Sequence, residues 1–87
     1  TFGADFLVSG KMNEVNPDEI RQDVRKAVAG LVETRKRRKL SQYRLAKLTG
    51  LSREAVRLIE AGNRVPSLHT FLLLCAALEA DPAKLLK

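Results

Sequence analysis

The sequence predicts an all-α fold of five helices, with a long first helix and, at the centre of the chain, two short helices joined by a tight turn. Three observations carry this. Five polar residues stand where helix N-caps would, apolar residues recur behind them at three- and four-residue spacing, and no stretch reads convincingly as a strand. The 87 residues, 45% of them hydrophobic, suffice for one small domain with a single core.

Asn16-Pro17-Asp18-Glu19 opens the first helix. Asn caps free amides, Pro fits the first turn, and two acids suit the positive end of the dipole. Ile20, Val24, Ala27, Val28, Leu31 and Val32 follow at helical spacing, so the helix is expected to reach about Lys39, with Gly30 bending or weakening it. Ser41 caps a short second helix with Leu45, Ala46 and Leu48 inward, ending near Thr49-Gly50. Ser52 caps the third, which is expected to run to Ala61 and stop at Gly62, a residue free to turn left-handed. After Asn63-Arg64-Val65-Pro66, Ser67 caps a fourth helix ending at Leu78, and Asp81-Pro82 opens a last turn closing on Leu85-Leu86.

The fourth helix has an inward stripe of Leu68, Phe71, Cys75 and Leu78, yet Leu72, Leu73, Leu74, Ala76 and Ala77 make it apolar nearly all round. Such a helix needs two burial partners. One is the first helix; the other is the same helix of a second subunit, making Leu72, Leu73, Ala76 and Ala77 a candidate isologous dimer interface. Cys75 reads as a small buried hydrophobe and His69 as a solvent-facing residue.

Residues 1–15 read as a tail, poorly ordered or foreign to the native chain, ahead of a domain over 16–87. Thr1 is not a start methionine, Met12 is a candidate start, and Phe2 with Phe6-Leu7-Val8 is an apolar cluster that could pack on the bundle or on a partner. One Cys and one His are too few for a metal site, and no nucleophile triad, phosphate loop or paired acids appear, so neither an enzyme nor a cofactor is expected. No run approaches the roughly 18 apolar residues of a membrane span, and the N-terminus lacks the order of a signal peptide. The expected compartment is the cytoplasm.

The net charge of +6 is concentrated in the middle. Residues 31–64 hold ten basic against three acidic side chains, whereas the flanking segments are nearly balanced. A basic segment of this kind is an electrostatic footprint for a polyanion, although Arg35-Lys36-Arg37-Arg38-Lys39 alone reads equally as a solvated helix face. The third helix favours the first reading. At about 100° per residue, Ala55, Val56 and Ile59 turn inward, and Arg53, Glu54, Arg57, Leu58 and Ala61 turn outward. Arginine can bind guanine N7 and O6 with both donors, Glu can accept from cytosine N4, and Leu can touch a thymine methyl. Glu54 has an alternative as a partner of the helix dipole, and Leu58 as a residue partly buried against the preceding helix.

Leu-Ser-Gln at 40–42, Leu-Ala at 45–46, Gly-Leu-Ser at 50–52, Ile-Glu-Ala-Gly at 59–62, Pro-Ser-Leu at 66–68 and the closing Asp-Pro-x-x-Leu-Leu together resemble the lambda-repressor/Cro-like (XRE) helix-turn-helix family over about two thirds of the chain. The resemblance implies a five-helix lambda-repressor-like bundle that binds duplex DNA sequence-specifically, commonly as a homodimer that represses or activates transcription. It implies that Gln42 contacts a phosphate and braces the recognition helix, that Arg53, Glu54 and Leu58 meet base edges, and that Arg64 meets a phosphate. Arg57 joins the base-reading set by geometry. Tyr43, Arg44, Lys47, Ser52, Arg37 and Arg38 complete the expected phosphate contacts. The family often has acids at positions 43 and 44 and a polar or basic residue at 58; here a hydroxyl and a cation face the DNA, and Leu58 brings no hydrogen-bonding group. The competing reading is a protein-interaction module on the same bundle, such as an antitoxin holding a partner protein.

Overall fold

The computed structural model describes residues 13–87 of the chain. Five helices follow one another: α1 (Pro17–Arg37), α2 (Gln42–Thr49), α3 (Arg53–Glu60), α4 (Leu68–Leu78) and α5 (Pro82–Leu85), with no strand among the described residues. The all-α bundle with a long first helix is as expected. The readings of Phe2, Phe6-Leu7-Val8 and Met12 lie outside the described residues.

Every helix starts at its expected cap. The side chains of Asn16, Ser41, Ser52, Ser67 and Asp81 accept from the backbone N–H groups of Asp18, Arg44, Ala55, Thr70 and Ala83, each satisfying an otherwise orphan donor. Three helices also end alike. Leu40 N–H donates to Arg35 O and Lys39 N–H to Lys36 O; Asn63 and Gly62 repeat the pair on Leu58 and Ile59, and Ala80 and Glu79 on Cys75 and Ala76. This double bond pattern requires one left-handed residue, supplied by Lys39 (φ 58°), Gly62 (φ 81°) and Glu79 (φ 54°). The first helix therefore stops at Arg37, short of Lys39, because the chain reverses there. The third ends at Glu60, with Ala61 as its cap.

The core joins Ala27, Val28 and Leu31 of α1, Leu45 and Ala46 of α2, Val56 and Ile59 of α3, and Phe71, Leu74, Cys75 and Leu78 of α4. α4 packs on α1 and α2, α2 packs on α3, and α1 also meets α3 and α5. Burial pushes the Cys75 thiol up from its ordinary value, with Asp81 adding to the effect. Three residues expected inward are instead exposed: Ile20 (52%), Leu48 (49%) and Leu68 (71%). Ile20 and Leu68 lie in the first turns of their helices, ahead of the packed stretches. Leu48 lies about 110° from the direction set by the buried Leu45 and Ala46. Conversely Leu74 is buried, because Phe71, Leu74, Cys75 and Leu78 form the i, i+3, i+4, i+7 stripe of α4.

Gly30 does not interrupt α1. A Cβ there would come within 2.5 Å of Leu85 Cδ2, so the missing side chain is the seat on which α5 docks. On α4, Leu72 and Ala76 are exposed, whereas Leu73 and Ala77 are half-buried and Ala77 packs on the chain's own core. The outward apolar stripe is thus narrower than expected. His69 is exposed, as read.

Candidate nucleic-acid interface

α2 and α3 are held at a fixed angle by a buried ionic cluster. Arg35 donates from Nε and Nη2 to the two Glu60 oxygens at 2.6 and 2.8 Å, and from Nη1 to Leu40 O at 2.7 Å. Gln42, the first residue of α2, donates from Nε2 to Glu60 Oε1 at 2.9 Å. Both ion-pair side chains are about one-tenth exposed, and no buried side-chain polar atom among the described residues lacks a partner. Gln42 thus ties the start of α2 to the end of α3. Arg35, by contrast, leaves the basic run and lies inside the molecule, so the run overstated the surface charge. Sequence reasoning did not single out Glu60, although it falls on the arc of Val56 and Ile59, where a charge signals a buried partner.

With the angle fixed, one exposed surface gathers most of the expected contacts. Ser41, Gln42 and Tyr43 from the start of α2 and Arg53, Glu54 and Arg57 from α3 line an open depression of about 540 Å³. Tyr43, Ala46, Lys47, Gly50, Leu51 and Arg53 line a second of about 340 Å³. Arg53, Glu54 and Arg57 are exposed, with Tyr43, Arg44, Lys47 and Ser52 exposed beside them. Leu58 is half-buried, which fits the packing alternative weighed for it.

The charged groups on this surface are organised unequally. Arg57 grips Glu54 with two donors, Nε to Oε1 at 2.9 Å and Nη2 to Oε2 at 2.6 Å. This bond holds the Glu54 carboxyl below its ordinary range, with the charge of Arg64 contributing further, and it raises Arg57. The fork is complete at neutral pH and weakens only as the pH falls through the depressed carboxyl value. It leaves Nη1 and the outer hydrogen of Nη2 free to donate. Arg53 has no carboxylate partner among the described residues; its Cζ lies 5.3 Å from the Tyr43 ring centroid, and Lys47 Nζ lies 5.5 Å from the same ring. Arg44, Lys47 and Arg64 are likewise exposed without a salt bridge, whereas Arg37 pairs with Glu33 at 3.5 Å and Arg38 with Glu79 at 3.0 Å.

Residues 31–85 match the helix-turn-helix family. The chain is a lambda-repressor-like helix-turn-helix protein. The match takes in α2, α3 and the turn between them, and its first residue falls in the last third of α1, so the amino-terminal two thirds of that helix extend beyond the matched region. No curated protein matches the chain. The family is one of DNA-binding regulators, and among the described residues of this helix-turn-helix protein no helix is long and apolar enough to cross a membrane.

Proposed function

We propose that this helix-turn-helix protein reads duplex DNA through the major groove with α3 and regulates transcription, as a repressor, in the cytoplasm. The observation that carries the reading is the exposed row Arg53, Glu54, Arg57 on a short helix that Gln42 and Arg35 brace from behind through its own Glu60. Arg53 and Arg57 read guanine edges, Arg57 with the donors that Glu54 leaves free, and Glu54 and Leu58 contribute at neighbouring base pairs. Tyr43, Arg44, Lys47, Ser52 and Arg64 meet phosphates, with Gln42 and Arg37 at the margin; Arg38 does so only on leaving Glu79.

Mutant binding tests this directly. Arg57→Ala should cost about 1–3 kcal/mol at the preferred sequence and relax specificity there, whereas Arg37→Ala should weaken all duplexes alike and lower the salt slope by about one unit. Equal losses on specific and random duplexes for both variants would remove base reading from Arg57.

A homodimer completes the reading, since two half-sites about 34 Å apart are how this motif gains affinity. Leu72 and Ala76, the exposed apolar residues of α4, support the contact, with Leu73 and Ala77 at its edge. Sedimentation should find a dimer that Leu72→Glu converts to monomer; a wild-type monomer well above micromolar concentration would remove it. The alternative, a module holding a partner protein, has one observation in its favour. A groove of about 720 Å³ lies between the start of α1 and the loop after α3, with Ile20, Val24, Val65 and Pro66 in its lining.

A further inference from the structure

We propose that Tyr43 is a positioning residue: its ring aims the Arg53 guanidinium, and it thereby sets sequence preference at a base pair that Tyr43 itself does not touch. The proposal rests on base reading by α3.

Arg53 and Arg57 face the same surface but are oriented by different means. Arg57 is fixed by the two-donor bond to Glu54. Arg53, the first residue of α3, has no carboxylate partner among the described residues, and an exposed arginine with nothing to rest on samples many rotamers. The group that does meet it is aromatic. Its Cζ stands 5.3 Å from the Tyr43 centroid, within the range where a ring quadrupole attracts a cation, and a planar guanidinium can stack where an ammonium acts only as a point charge.

The surroundings make the ring a platform rather than a chance neighbour. Tyr43 sits in the first turn of α2, which Ser41 caps and which the Gln42–Glu60 bond ties to α3 itself. Tyr43 and Arg53 are the two residues common to both depressions on this surface, so the pair forms the ridge that separates them. A guanidinium held on that ridge starts from one place, and the base pair it reaches is decided before contact. Lys47, 5.5 Å from the same ring, is a point charge free to turn to a phosphate, and it supplies a control.

The test uses binding to randomised duplexes by the wild type, Arg53→Ala, Tyr43→Leu, Tyr43→Phe and Lys47→Ala, together with side-chain NMR relaxation at Arg53 Nε in the free protein. Arg53→Ala identifies the base pair that Arg53 reads. Tyr43→Leu should lower the preference at that same pair by about 2–5-fold, the worth of an exposed cation–π contact, without changing the salt slope. Tyr43→Phe should keep the preference, and Lys47→Ala should keep it while lowering the salt slope. Arg53 Nε should be ordered in the wild type and Tyr43→Phe, and mobile in Tyr43→Leu. Tyr43→Leu with the wild-type preference, or Tyr43→Phe losing as much as Tyr43→Leu, would overturn the proposal; the second result would trace the preference to the phosphate contact of the hydroxyl and not to the ring. A wild type that prefers no sequence would overturn base reading itself, and the proposal with it.

Discussion

Glu60 connects three helices through one carboxylate, which receives Arg35 from α1 and Gln42 from α2 while belonging to α3. Removing one member of a buried pair strands the other charge without water, at a cost of about 3–5 kcal/mol. Urea unfolding of Glu60→Ala should show a loss of that order, and Arg35→Met with Glu60→Leu should recover most of it, because nothing charged is then left behind. A loss under about 1 kcal/mol in Glu60→Ala would mean that the cluster is solvated in solution. The pair was legible in principle: Arg35 shares the arc of Val28 and Leu31, and Glu60 that of Val56 and Ile59. It was missed because Arg35 opens a run of five basic residues, and such a run invites reading as one surface.

Helix starts were legible throughout and the ends of α2 and α4 with them, whereas α1 stops two residues short of Lys39, for a physical reason. A cap at the start needs a short polar side chain, and Asn16, Ser41, Ser52, Ser67 and Asp81 are of that type. The reversal at the end needs only a positive φ, which Gly62 announces but Lys39 and Glu79 conceal. Gly30 misled in the opposite direction, since what explains it is its contact with Leu85 of α5, 55 residues further along the chain, which no local rule could supply. The resulting prediction concerns the docking of α5 on α1. In a Leu85→Ala background, Gly30→Ala should stabilise by up to about 1 kcal/mol, the ordinary helix preference of alanine over glycine. With Leu85 present the same change should gain less or destabilise, because the new methyl displaces the leucine. Equal effects in the two backgrounds, by thermal unfolding, would show that the two residues are not coupled.

The whole molecule follows from an all-helical pattern and a family resemblance that were both readable in the chain, and residues 31–85 match that family. What the sequence could not convey was the distribution of its charge. Of the run 35–39, Arg35 is internal and Arg37 and Arg38 are already paired, so the cations beside α3 without a salt bridge among the described residues are Arg44, Lys47, Arg53 and Arg64. The outward apolar surface of α4 is likewise narrower than its composition suggests, because a helix apolar on most sides still turns part of that surface to its own core. Recognition of DNA by α3 is what most of these observations bear on, and selection of bound duplexes from a random library tests it most directly. The wild type should enrich one short motif, paired at a spacing of about one helical turn if the protein is a dimer, and Arg53→Ala and Arg57→Ala should each flatten it at separate positions. No enrichment by the wild type, or the same motif from both variants, would contradict it.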